Sequence, residues 1–448
     1  MVGKEFAIKV VSEALKKGAT DADVVIRDGD EFSISVRLGN VETLKHITAK
    51  KLGLRVFVGK RSAITSTANL GWRSVKKLVS DTVTLAKITS EDEVAGLPDA
   101  AEYQPISDLE LGLYFPDTQE LSSDDKIALA MKTEQAAREF DPRITNSEGA
   151  EFGNSVGTSV YANSRGFAGE YRGSSAALSV VPVASENGRM QRDYWYSVKR
   201  SLRKLDPPEV VGKKAAERVL RRLGARKVKT QVVPVVFDPL TATSLLGHLC
   251  EAVTGSAIFR KSSFLVDKLG QKIAADMVNI EDNGRLPEGL GSRPFDGEGL
   301  PTRATPIIEG GILQNYLLDT YSARKLGLKS TGNAARGVSG PPSAGPTNFY
   351  LKAGTVPPEE IIRSVSSGLY LTEMIGFGVN TVNGDFSQGA VGVWIEGGTL
   401  TYAVEEITIA SNLAEMLKNI ETIGSDLEFR GAIAAPTIKI SQMVISGD

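Results

Sequence analysis

Residues Asn383–Leu413 read NGDFSQGAVGVWIEGGTLTYAVEEITIASNL. The run opens as a Gly-rich strand, turns at Gly397–Gly398 and continues as a second alternating strand carrying Glu405 and Glu406, whose side chains should point to opposite faces. Period-two alternation across a Gly-Gly turn predicts antiparallel pairing. A short helix is expected over Ser411–Ile420. A closing strand follows at Pro436–Val444, with Ile438, Ile440 and Gln442 alternating against Thr437, Lys439 and Ser441.

Moving towards the N-terminus, a helix should begin after Thr355 as its cap, with Pro357 and Pro358 in the first turn, where Glu359 and Glu360 suit the helix dipole. The Pro- and Gly-rich Ser339–Pro346 is read as irregular. A strand, Val232–Asp238, leads into a helix, Leu240–Val253. Further back, Glu209–Leu223 is a helix with Val211, Ala215, Val219 and Leu223 in one stripe. Ile144–Val198 is a long β region with turns at Asn163–Gly166 and Asn187–Gly188. Helices are expected at Asp124–Phe140, punctuated by Ala128, Met131 and Ala136, and at Ser74–Ala86. Strands are expected at Leu52–Gly59, Glu31–Leu38 and Ala22–Arg27, and an amphipathic first helix should bury Ile8, Val11 and Leu15. The fold class is therefore α+β, mostly antiparallel sheets with flanking helices. At 448 residues, two domains are expected, 1–229 and 230–448, with a subdivision at the Pro-rich, acidic stretch 97–118.

The totals exclude several classes. A net charge of −2 gives no general affinity for phosphate backbones. The single cysteine, Cys250, allows no intrachain disulfide, which fits a reducing compartment. No apolar run spans a bilayer and the N-terminus lacks a signal-peptide core, so a cytoplasmic location without membrane contact is expected. There are two histidines, His46 and His248, so a His-rich metal site cannot be assembled within this chain.

Each candidate chemistry meets a simpler explanation. His248 and Glu251 lie three apart on one helix and share a face, like part of a zinc-hydrolase site, but the second imidazole is missing. A hydrogen-bonded helix histidine near a cleft is the favoured reading. Gly153–Gly157 matches G-x-S-x-G, with Ser155 in the nucleophile position, yet the next residues alternate like a strand instead of opening a helix. Cys250 reads as a small core residue. The basic run in 212–229 (Lys213, Lys214, Arg218, Arg221, Arg222, Arg226, Lys227 and Lys229) has no interleaved aromatics and reads as a solvated helix face.

The opening stretch Asn383–Leu413 resembles the hallmark of the TldD/PmbA (modulator of DNA gyrase) family, and Phe259–Leu265, Ser292–Gly299 and Leu317–Gly332 fit as well. The resemblance implies a two-domain TldD/PmbA-like fold. It also implies one of two subunit types. TldD-type chains carry H-E-x-x-x-H and a downstream Cys that bind a catalytic metal; PmbA/TldE-type chains lack that set. Counted back from Arg260-Lys261, the motif positions fall on Gly247, His248 and Ala252. Pairing Glu251 with the motif Glu puts the histidines at Cys250 and Gly255. The downstream Cys would lie near 425–427, where none exists. The resemblance thus implies a PmbA/TldE-type subunit with no catalytic, cofactor or metal residues of its own. Zinc would be held by a TldD-type partner in a heterodimer, with a homodimer in isolation as a further state. The substrate would be an unfolded peptide taken as an added strand, and 286–300 and 331–346 are candidates for lining the cleft. The alternatives are an active metal-dependent peptidase built on His248 and Glu251, and, ranked last, a regulatory or nucleic-acid-associated protein.

Overall fold

The computed structural model describes residues 3–106 and 110–447. Strands β1 (Asp21–Arg37), β2 (Asn40–Val58), β3 (Arg61–Thr67), β4 (Ile144–Asn163), β5 (Ala168–Glu186), β6 (Arg189–Arg192) and β7 (Trp195–Lys199) form one antiparallel sheet. Its order is β3-β2-β1-β4-β5-β6, with β7 also on β5. Helices α1 (Lys4–Lys16), α2 (Trp72–Ile88), α3 (Ser123–Arg138) and α4 (Pro208–Leu220) flank it.

The length of β1 corrects the expectation of two strands. Asp28-Gly29-Asp30 does not break it, because the strand is paired throughout by β2 and β4. Lys50 stands opposite Asp28 and forms an ion pair with it at 2.8 Å, while His46 Nε2 lies 2.8 Å from Asp30 Oδ2. Cross-strand partners thus stabilise charges that read locally as a turn.

Side chains alternate along β1. Ala22, Val24 and Ile26 meet α1 and α2; Phe32, Ile34 and Val36, of the same parity, meet α3 and α4. Both helix pairs therefore cover one face of the sheet. The opposite face carries Asp23, Val25 and Arg27 and receives the C-terminal half.

The buried face of α1 is Ala7, Val10, Val11 and Ala14, while Ile8 and Leu15 are exposed. The small residues win because α1 lies close on the sheet and on α2. In α3 the buried residues are Lys126, Ala130, Thr133, Glu134 and Ala137. Glu134 accepts hydrogen bonds from the backbone N–H groups of Leu38 (2.8 Å) and Gly39 (2.9 Å), and so caps the β1–β2 turn. The stretch 97–118 is largely irregular, with residues 107–109 outside the described residues.

The C-terminal half contains β8 (Gln231–Phe237), α5 (Pro239–Ala252), α6 (Gly255–Phe259), β9 (Ile280–Asn283), β10 (Ala304–Glu309), β11 (Ile312–Leu313) and α7 (Thr320–Leu326). There follow β12 (Ala334–Ala335), β13 (Ser343–Ala344), β14 (Phe349–Leu351), α8 (Pro358–Arg363), β15 (Ser367–Ile375), β16 (Asp385–Glu396) and β17 (Thr399–Asn412). Last are α9 (Leu413–Lys418), β18 (Ile420–Ile423), β19 (Ile433–Ala434) and β20 (Ile438–Ser446). Strands β17-β16-β15-β8-β20 are hydrogen-bonded in that order, and β20 pairs back onto β17, closing a ring. A second sheet runs β11-β10-β9-β14-β19. The apolar face of α5 (Leu245, Leu246 and Leu249) shares one core with residues of the ring and of the second sheet.

Three local expectations change. Thr355 does not cap α8; its N-cap is Pro357. Within 339–346, Ser343–Ala344 pairs with β12. Glu405 and Glu406 sit where β17 bulges against β16, with Glu406 at φ 54°, so they leave the simple alternation.

The halves meet along the free face of the N-terminal sheet. Gly53 is required there: a Cβ at this position would overlap the Val338 carbonyl, so the backbone after β12 lies directly on β2.

Candidate functional site

Helix α5 is set by its start. Asp238 accepts from Thr241 N–H at 2.9 Å, and Pro239 fills the first turn, where its missing donor costs nothing. Asp238 also receives Arg218 Nη1 at 3.0 Å, so the cap is tied to α4.

Along α5, His248 is half-buried and Glu251 is exposed. Desolvation lowers the His248 pKa below its usual value, and the nearby Glu251 charge opposes that only in part. His248 makes no hydrogen bond among the described residues, contrary to the expectation of a hydrogen-bonded ring. His46 lies on β2 beside Asp30, so the two imidazoles belong to different halves. Among the described residues, no three His, Cys, Asp or Glu side chains come together as a metal-holding group.

The positions assigned by resemblance are equally poor in donors. Gly247 faces Ile433, with 4.0 Å from a notional Cβ to Ile433 Cδ1. Ala252 is fully buried, and its carbonyl accepts from Ser263 Oγ at 2.7 Å. Asp426, where the thiolate would be sought, is occupied by the Thr437 N–H (3.0 Å) and hydroxyl (2.7 Å). These residues do not fit a tetrahedral zinc site.

Cys250 is buried, and burial, with Asp282 and Glu251 nearby, pushes its thiol pKa well above the ordinary range. It is expected to resist a thiol reagent in the folded protein at neutral pH and to react fully in denaturant. Mass spectrometry after alkylation checks this, and rapid labelling of the native chain would contradict the buried-core assignment. Ser155 lies inside unbroken β4 with its Oγ 2.8 Å from Ser175 Oγ, so no nucleophile elbow forms.

A cleft of about 960 Å³ opens beside the N-terminal end of α5. Its walls include Leu240 and Thr243 of α5, Trp195 and Tyr196 of β7, Arg218 and Arg221 of α4, and Arg430 and Ile433. Arg430 stacks on the Trp195 ring at 4.3 Å and donates to the Tyr196 carbonyl at 2.6 Å. Ile433 belongs to β19, the edge of its sheet, where the only strand partner among the described residues is β14.

The basic run in 212–229 divides: Lys213, Lys214, Arg226, Lys227 and Lys229 are exposed, as expected of a solvated face, whereas Arg218 is buried and Arg221 and Arg222 are partly so. Arg218 is buried between Asp193 (3.1 Å) and Asp238 (3.0 Å), and Arg222 reaches Glu373 at 2.6 Å. Lys213 and Lys227 pair with Glu217 and Glu406. Arg218 and Arg222 tie α4 to the C-terminal half, because their partners Asp238, Thr372 and Glu373 come from distant segments. The segments 286–300 and 331–346 do approach each other, with Ala334 N–H donating to Asp296 Oδ2 at 3.0 Å. They are absent from the walls of the α5 cleft and instead enclose a separate cavity against the N-terminal sheet.

Comparison with known proteins agrees with this architecture. Residues 230–447 match the PmbA/TldA metallopeptidase C-terminal domain, 116–223 the central domain and 22–86 domain 1. The chain belongs to the PmbA/TldD metallopeptidase family. It is 39% identical to Metalloprotease PmbA of Escherichia coli O157:H7, over 99% of this chain and 96% of that protein. A crystal structure named for a modulator of DNA gyrase, from Bacteroides thetaiotaomicron VPI-5482, superposes with a TM-score of 0.92 at 29% identity, covering 99% of each chain. TldE from Thermococcus kodakarensis has the same fold, with a TM-score of 0.90 at 23% identity, covering 99% of this chain and all of that one. No helix among the described residues is long and apolar enough to cross a membrane.

Proposed function

We propose that this chain is the non-catalytic partner subunit of a TldD–TldE type metalloprotease complex acting on unfolded or modified peptides. The observation that carries this reading is the donor set on α5: one half-buried imidazole, one exposed carboxylate, and Gly247 and Ala252 where two further ligands would be needed. Zinc activates water only when enough ligands hold it with one position open. In this reading a TldD-type chain supplies the metal. This chain supplies binding surface, with the edge strand β19 and the Trp195–Arg430 stack in the wall of the cleft. A peptide accepted as an added strand is held by its backbone, which suits substrates without a fixed sequence.

The purified chain is expected to hold far less than one zinc per molecule and to leave an unfolded protein substrate uncut. Addition of a TldD-type chain should produce cleavage that a chelator stops, and His248→Ala in this chain should leave that rate unchanged. Chelator-sensitive cleavage by this chain alone, lost in His248→Ala, would establish the active-peptidase reading in its place.

A further inference from the structure

A second cavity, of about 370 Å³, lies between the free face of the N-terminal sheet and the segments 293–297 and 335–343. That volume falls within the range of small-molecule sites. Two guanidinium-bearing residues line it, Arg27 from β1 and Arg293 from the C-terminal half; Arg336 also borders it, but its side chain is wholly buried behind the wall. Tyr171 and Ser159 contribute hydroxyls to its wall.

The charges in this cavity do not balance. Arg336 is fully buried, and its one carboxylate partner among the described residues is Asp23, 2.6 Å from Nη1. Asp23 is shared with Arg55, whose second acid is Glu298. Among the described residues, the buried Nε and Nη2 of Arg336, and the buried Nε and Nη2 of Arg293, have no hydrogen-bond partner. Among the described residues Arg27 has no carboxylate partner; it donates to Ser159 Oγ and the Arg336 carbonyl. Asp296 also lines the cavity, but its oxygens already accept three backbone N–H groups, from Glu298, Leu300 and Ala334. Burial and the charge of Glu298 push its pKa up to about 7, so it is a weak counter-charge at neutral pH. Buried guanidinium donors left unpaired are costly, and their planar forks match oxyanions.

We propose that this cavity binds a small oxyanionic ligand, through a phosphate or carboxylate group held by Arg27 and Arg293. The site is independent of the metal question, since none of its residues belongs to α5 or to the cleft beside it. A Cβ on Gly337, which lines the same cavity, would meet nothing within 4 Å, so this position offers room for a plugging side chain.

The test uses the full chain with inorganic phosphate and succinate as separate probes, and potassium chloride at matched ionic strength as control. Calorimetry should show saturable one-to-one binding of at least one probe at millimolar concentration or below, and that probe should raise the melting temperature where chloride does not. Which probe binds distinguishes phosphate from carboxylate ligands. Arg293→Met should weaken binding by about tenfold or more, as expected for loss of a charge-assisted fork, and should melt at or above the native temperature in probe-free buffer. Gly337→Leu, which leaves every arginine in place, should also abolish the response. Failure of both probes to bind, or binding that survives in both variants, would overturn the proposal.

Discussion

Asp23→Ala is expected to cost about 3–5 kcal/mol of stability, the range for removing one partner from a buried ion pair. Asp23 is fully buried on the face of β1 that meets the C-terminal half. It accepts Arg55 Nη2 at 2.5 Å and the Tyr161 hydroxyl at 3.2 Å, and pairs with Arg336. Its loss leaves Arg336 buried without a carboxylate among the described residues and Arg55 with Glu298 alone. Burial opposes ionisation of Asp23, but Arg336 and Arg55 outweigh it and hold the pKa below the ordinary 3.8. The sign follows. A carboxylate with a depressed folded pKa contributes stability that is fully present above the unfolded value and is lost as pH falls through the folded one. Urea unfolding followed by tryptophan fluorescence should therefore show a large gap between native and variant chains at neutral pH. That gap should shrink in acid below about pH 4. An unchanged midpoint at neutral pH would remove Asp23 from the junction's energetics.

Arg218→Ala should have an effect of similar size, about 3–5 kcal/mol, at a different place. Arg218 joins α4 to the β6–β7 turn through Asp193, to the start of α5 through Asp238, and to β15 through the Thr372 carbonyl at 3.3 Å. Truncation leaves two carboxylates buried and loosens the cap of α5. Arg218→Lys should recover only part of the loss, because one ammonium cannot span three acceptors arranged for a planar fork. Differential scanning calorimetry on the two variants measures both effects. If lysine restored the full native transition, the fork geometry would be irrelevant.

These two residues show where reading the sequence reaches its limit. The alternation of β4 and β5, the Asn187–Gly188 turn and the stripe Val211–Ala215–Val219 are legible because each depends on neighbours a few residues away. The shortage of imidazoles is legible because it is a count. Arg218 reads as one of a run of surface charges, since Asp193, Asp238 and Thr372 lie 20 or more residues from it in the chain. Asp28-Gly29-Asp30 reads as a break because Lys50 and His46, which stabilise it, sit on another strand. Ile8 and Leu15 read as core because hydrophobicity alone says nothing of how closely α1 approaches the sheet. The cavity arginines carry no local signature at all. Arg27 and Arg336 meet only after both halves are folded and docked.

Closure of the ring by β20 has a consequence for how the chain is made. Its end staves, β8 and β17, cannot complete their neighbours until residues 438–446 have left the ribosome, some 200 residues after β8 itself. The N-terminal sheet, whose strands all precede residue 200, can form while translation is still under way. During that interval Val235 and Phe237 of β8 have no closed ring to enter, and transiently exposed apolar surface of this kind is what makes a nascent chain prone to aggregate.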